Sequence, residues 1–108
     1  MTKERKSLER KLHDVMLDLV RWRDGGCVLR DMDGGRCNGA MQGGHVVPVA
    51  RAGHLRFELE NIFCQCASHN LLHYRCDPIY PDWYSLTWGH SAYHALTLRM
   101  LSRSKYSE

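Results

Sequence analysis

The sequence predicts a small α+β domain: a β-hairpin and a short helix, stapled by zinc and flanked by longer helices. Three observations predict it. A His sits in an apolar, strand-like run, Gly44-His45-Val46-Val47-Pro48, and a second apolar run follows Asn61. Cys66, His69, Asn70 and His73 then recur at helical steps on what reads as one short helix. Seven His and five Cys in 108 residues point to metal ligation.

At this length the chain is read as one domain, residues 1–108. It divides into a basic amphipathic helix (1–25), a zinc-stapled core (27–76) and C-terminal helices (77–108). The hydrophobic fraction of 44% excludes a disordered chain. Fifteen Lys and Arg against twelve Asp and Glu give a formal charge of +3, compatible with a nucleic-acid partner. The opening MTKERKSLERK has no apolar stretch after its charges, so no secretory signal is expected. No run reaches the roughly 18 apolar residues of a membrane helix. The expected setting is the cytoplasm. Its thiols stay reduced, and cysteines there serve as ligands more often than as disulfides. An odd count of five agrees.

Residues 3–24 read as a helix because Leu8, Leu12, Val15, Met16, Leu19 and Val20 recur at three- and four-residue spacing. Lys3, Arg5, Lys6, Arg10 and Lys11 make its start basic, and Gly25-Gly26 ends it. Cys27 and Cys37 bracket a turn at Asp33-Gly34-Gly35. A strand at His45-Val46-Val47 is closed by Pro48, and Val49 to Leu55 is a loop. A second strand is expected from Phe57 to Gln65, with Asn61 in it or at a break, and then a helix from Ala67 to Tyr74. Asp82 can cap a short helix that ends at Gly89. A last helix starts near Ser91, with Tyr93, Leu96, Met100 and Leu101 turned inward.

Phosphodiester hydrolysis needs a base to activate water, a cation to take up charge, and a group that holds the base in place. An imidazole titrates near neutral pH, so His45 is the candidate base, beside two glycines that admit a phosphate backbone. Asn61 either orients the imidazole or holds the loop between the strands. Asn70 and His73, three apart on one helical face, could seat a single divalent ion against the first strand. Cys66 and His69 complete a Cys3His zinc site with Cys27 and Cys37, and Cys64 and Cys76 are alternative ligands. A hairpin and one short helix bury little apolar surface, so a metal staple supplies missing stability. Arg51 and Arg56 flank the loop and, with Arg75, are candidate phosphate contacts. His13, His54, His90 and His94 are assigned no role.

The run Gly44-His45-Val46-Val47-Pro48, with Leu55-Arg56-Phe57, Asn61-Ile62, Gln65-Cys66 and Asn70, resembles the phage NinG/Rap recombination nucleases of the HNH superfamily. Arg21-Trp22-Arg23-Asp24 and the aromatic segment Trp83-Tyr84 to Trp88-Gly89 fit the same pattern, so the likeness spans roughly residues 20–100. The resemblance implies a ββα-metal fold with His45 as general base, Asn61 as the middle motif residue and Asn70 as the metal-side one. It implies Mg²⁺- or Mn²⁺-dependent cleavage of branched DNA, such as D-loops or Holliday junctions, and one structural zinc. If phage-encoded, the protein would work in the host cytosol, and a homodimer would suit paired cuts across a junction. Two departures stand out. The cysteine pairs of the family are tight CxxC pairs, whereas here Cys27 lies far from Cys37 and the last ligand is His69. Many HNH enzymes carry a metal-binding Asp or His just before the base, where this chain has Gly44. Gln42, His73 or waters would then complete the cation's shell. The rival expectation is a zinc-stapled DNA- or protein-binding module that has lost catalysis.

Overall fold

A computed structural model describes residues 2–32, 36–48 and 57–106. The turn expected at Asp33-Gly34-Gly35, the loop Val49 to Leu55, Arg51, His54 and Arg56 lie outside the described residues.

The fold is α+β. Helix α1 runs Lys3–Asp24, β1 Met41–His45, β2 Ile62–Cys66, α2 Ala67–Tyr74, α3 Ile79–Trp88 and α4 His90–Tyr106. Helix α1 has the expected bounds because both ends are capped. The Thr2 side chain accepts from the Arg5 N–H at 3.1 Å, and Gly25, at φ 71°, accommodates the left-handed turn. Its packing differs from expectation. Only Val20 is buried, with Met16 and Leu17 packed partly against the sheet, whereas Leu8, Leu12, Val15 and Leu19 stay exposed.

The hairpin is displaced from the expected register. β1 ends at His45 rather than running through Val47, and β2 is Ile62–Cys66 rather than Phe57 to Gln65. Asn61 is the cause. It closes a 3-10 turn over Leu59–Asn61, and its side chain claims the backbone of the residue that would have continued β1. Its Oδ1 accepts from the Val47 N–H at 2.9 Å, and its Nδ2 donates to the Val47 carbonyl at 2.8 Å. Val46 still donates to the Asn61 carbonyl at 2.9 Å, but Val47 leaves the ladder, and both side chains lie in the core. The two strands pair antiparallel from Met41 opposite Cys66 to His45 opposite Ile62.

The sheet lies between α1 on one face and α2 on the other. A Cβ added at Gly43 would meet Ile62 and Val20, whereas one at Gly44 would meet Gln65 and Asn70. Arg23 and Asp24 fasten the end of α1. Arg23 donates to the Leu59 carbonyl at 3.0 Å and pairs with Asp24, whose other oxygen accepts from the Cys64 N–H at 2.8 Å. α3 begins at Ile79, earlier than an Asp82 cap would allow, with Pro81 and Asp82 in its first turn. It stacks Trp83 and Tyr84 edge-on to Phe63, and fully buried Tyr80 donates to the Gly44 carbonyl at 2.6 Å. Leu96 and Met100 of α4 are buried as expected, but Leu101 is exposed.

Replacing Asn61 by Ala strands a buried N–H and a buried carbonyl of Val47 together. Urea denaturation of Asn61→Ala is expected to show a loss of about 2–4 kcal/mol.

Candidate metal centre

Three separate segments converge at the junction between β2 and α2. Cys27 follows the Gly25-Gly26 turn that ends α1, and its neighbour Val28 donates to the Cys64 carbonyl at 2.8 Å. Cys37 comes from the segment leading into β1. Cys66 is both the last residue of β2 and the N-cap of α2, accepting from the His69 N–H at 3.4 Å. His69 lies one turn into α2. Its Nδ1 is 3.4 Å from Cys27 Sγ, 3.6 Å from Cys37 Sγ and 3.1 Å from Cys66 Sγ. All four ligand atoms lie within 4.8 Å of one another. Tetrahedral zinc with Zn–S near 2.3 Å and Zn–N near 2.0 Å sets its S···N edges at about 3.5 Å, so the cage has zinc's size and donor chemistry. Cys27, Cys66 and His69 are buried and only Cys37 is open to solvent, as suits a closed structural site.

The alternative ligands stand apart from this set. Cys64 is buried on the α1 face of the sheet, and Cys76 is exposed at φ 67° beyond α2. The thiols already feel their crowding. Desolvation, reinforced by Cys27 and Cys66, pushes the Cys37 thiol up to about 12, although the residue as a whole is exposed. At Cys66 desolvation acts upward but is outweighed. The N–H groups of His69 and Asn38, the His69 ring and the Cys37 thiol bring it down to about 7.

A second polar cluster lies between β1 and α2. Asn70 Nδ2 donates to Gln42 Oε1 at 2.8 Å, which brings these two side chains together. Gln65 is fully buried beside them, and neither atom of its carboxamide has a hydrogen-bond partner among the described residues. A Cβ at Gly44 would stand 2.1 Å from Gln65 Oε1 and 2.7 Å from Asn70 Oδ1. The glycine thus leaves room for the Gln65 side chain. Amide oxygens are hard donors of the kind that Mg²⁺ and Mn²⁺ accept, but neutral ones. The only cluster of three or more Cys, His, Asp or Glu side chains able to share an ion, among the described residues, is the Cys3His set.

Comparison with protein-family models, with curated proteins and with solved structures returned no match to this chain. The candidate site therefore rests on its own geometry.

Of the residues read as catalytic, Asn61 holds the loop rather than an imidazole. His45 ends β1 on the face that carries Gly43. There it lines a small cavity of about 60 Å³ with His13, Met16, Leu17, Phe57 and Ile62. Strand alternation thus sets His45 and Asn70 on opposite faces of the sheet. His73 lies against Tyr80, with ring centroids 4.9 Å apart, and its two ring nitrogens are buried without a hydrogen-bond partner among the described residues. Burial lowers its pKa, against the opposing pull of the His45, Val46 and Asp77 carbonyls. It therefore packs as a neutral ring. Arg75 is exposed at the C-terminal end of α2.

Gln65, Tyr80, Arg23 and Asp24 were missed as positioning residues. Gln65 carried a signal as a polar residue inside an apolar run, and Arg23 and Asp24 stood out only as part of the Arg21-Trp22-Arg23-Asp24 run.

One zinc per chain is expected by elemental analysis, and Cys66→Ser should lose it. Zinc must displace the Cys37 proton, because that thiol is protonated at neutral pH. Affinity measured against a chromophoric chelator should therefore fall steadily as pH is lowered from 8 to 6.

Proposed function

We propose that the chain is a ββα-metal DNA endonuclease of the NinG/Rap type, acting on branched DNA. The observation that carries this reading is the Asn61 clamp. Two hydrogen bonds from one side chain fix the backbone two residues beyond His45, at the point where the chain leaves the strand. A loop has no general need for so rigid an exit, but an imidazole that must meet a reacting water does. The order hairpin then helix, the zinc-sized cage at their junction and the amide cluster beside Gly44 support it as well.

On this reading His45 takes the proton of a water whose oxygen attacks phosphorus, and the bond to the 3′ oxygen breaks in line. A bound Mg²⁺ or Mn²⁺ supplies charge neutralisation at the phosphate and the departing oxygen. Asn70, with the Gln65 oxygen beside it, would hold that ion. Tyr80 keeps the Gly44 carbonyl, and with it the strand end, in place. Basic side chains of α1 and Arg75, with Arg51 and Arg56, would contact phosphates, so binding should weaken as salt rises.

One observation favours the rival, a stapled binding module without catalysis. Position 44 has no ligand atom, and a buried neutral amide occupies the space its side chain would enter. Nicking of supercoiled plasmid and of four-way junctions separates the two. With Mg²⁺ or Mn²⁺, cleavage is expected, and His45→Ala should lower it by roughly 10²–10⁴-fold without changing zinc content. Tight junction binding with no cleavage under any divalent ion would establish the module. Gly44→Asp combined with Gln65→Ala puts a carboxylate in the same space. That variant should bind Mn²⁺ more tightly than the parent, read by electron paramagnetic resonance.

A further inference from the structure

Helix α1 carries two apolar stripes, and only one of them is used. Met16, Leu17 and Val20 face the sheet. Leu8, Leu12, Val15, Leu19 and Trp22 lie about 120° round the helix, at 100° per residue. They are 58%, 43%, 54%, 45% and 86% exposed. Their steps alternate four and three, which is the spacing of the a and d positions that seat one helix against another. The stripe runs for about four turns, and so long a seam is more than scattered surface hydrophobicity.

We propose that α1 pairs antiparallel with α1 of a second copy of this chain, about a two-fold axis between Leu12 and Val15. The proposal does not rest on the nuclease reading. The charges beside the seam select both the occupant and the direction. In the antiparallel arrangement Leu12 faces the partner's Val15 and Leu8 faces the partner's Leu19. The exposed Lys11 then stands beside the partner's Asp18, and the same pair recurs across the axis. Arg5 falls over the partner's Trp22, a favourable cation–π placement. The parallel arrangement in the same seam sets Arg5 against Arg5 and Glu4 against the partner's Glu9, both repulsive. A membrane surface fits less well. The rims of the stripe mix Glu4, Glu9, Asp14 and Asp18 with the lysines and arginines, whereas interfacial helices present a mainly basic polar face.

Sedimentation equilibrium on the zinc-loaded full chain tests the pairing. A monomer–dimer equilibrium in the micromolar range is expected, since the seam is short. Leu12→Glu places a charge in the seam twice per dimer and should weaken association by at least about a hundredfold. Its position is exposed in the monomer, so the circular dichroism spectrum and zinc content should be unchanged. Lys11→Glu should weaken the dimer about three- to tenfold, and adding Asp18→Lys should restore it. Four outcomes would overturn the proposal. The chain could stay monomeric up to millimolar concentration, the dimer could survive Leu12→Glu, or the charge swap could fail to rescue. The fourth is Leu12-dependent binding to anionic vesicles by a chain that remains monomeric.

Discussion

The structure depends on what happens at Cys66. This one residue closes the ladder opposite Met41, caps the first turn of α2 and supplies a sulfur to the cage around His69 Nδ1. A two-stranded sheet of five-residue strands is marginal in water. Its register and the direction of the following helix are therefore set together or not at all. An ion in the cage ties that junction to the end of α1 through Cys27 and to the approach of β1 through Cys37. Without an ion, a thiolate at Cys37 is disfavoured by desolvation and by its Cys27 and Cys66 neighbours. Zinc held in this cage would couple folding to metal binding, in the manner of small metal-stapled domains.

The second constraint is the glycine pair of β1. Gly43 lets α1 approach one face through Val20, and Gly44 lets the Gln65 carboxamide occupy the other. A Cβ at Gly43 would crowd Ile62 of the paired strand, and one at Gly44 would collide with the Gln65 and Asn70 side chains. The cost is chemical. The residue before the imidazole can offer no ligand, and an uncharged amide with no hydrogen-bond partner among the described residues sits where one would reach. Packing and cation affinity therefore compete for the same few cubic ångströms.

Much of this was legible in the sequence, and the parts that were not share a cause. α1 and α2 have the expected bounds because local signals determine them: Thr2 and Gly25 for one, the Cys66 to His73 spacing for the other. The Cys3His set was legible because its ligands had to come from a short inventory. The hairpin was misplaced because Val46 and Val47 have strong strand propensity, yet the Asn61 side chain takes both backbone groups of Val47. Periodicity showed that α1 is apolar but not which of its two stripes meets the sheet. The hydrogen bond from Tyr80 to Gly44 and the ties made by Arg23 are purely tertiary, so no local pattern announces them.

The opposition of His45 and Asn70 bears directly on mechanism. Neighbouring strand residues point to opposite faces, so a helix-side ligand at position 44 and a base at 45 cannot both look at α2 from within the ladder. Any chemistry that uses both must take place at the strand's end, where a substrate can reach round the edge of the sheet. β1 stops at His45, and the chain beyond it is pinned by Asn61, through its main-chain carbonyl at Val46 and its side chain at Val47. On the nuclease reading, then, the early end of the strand is what the mechanism requires, and Asn61 acts by fixing where that end lies.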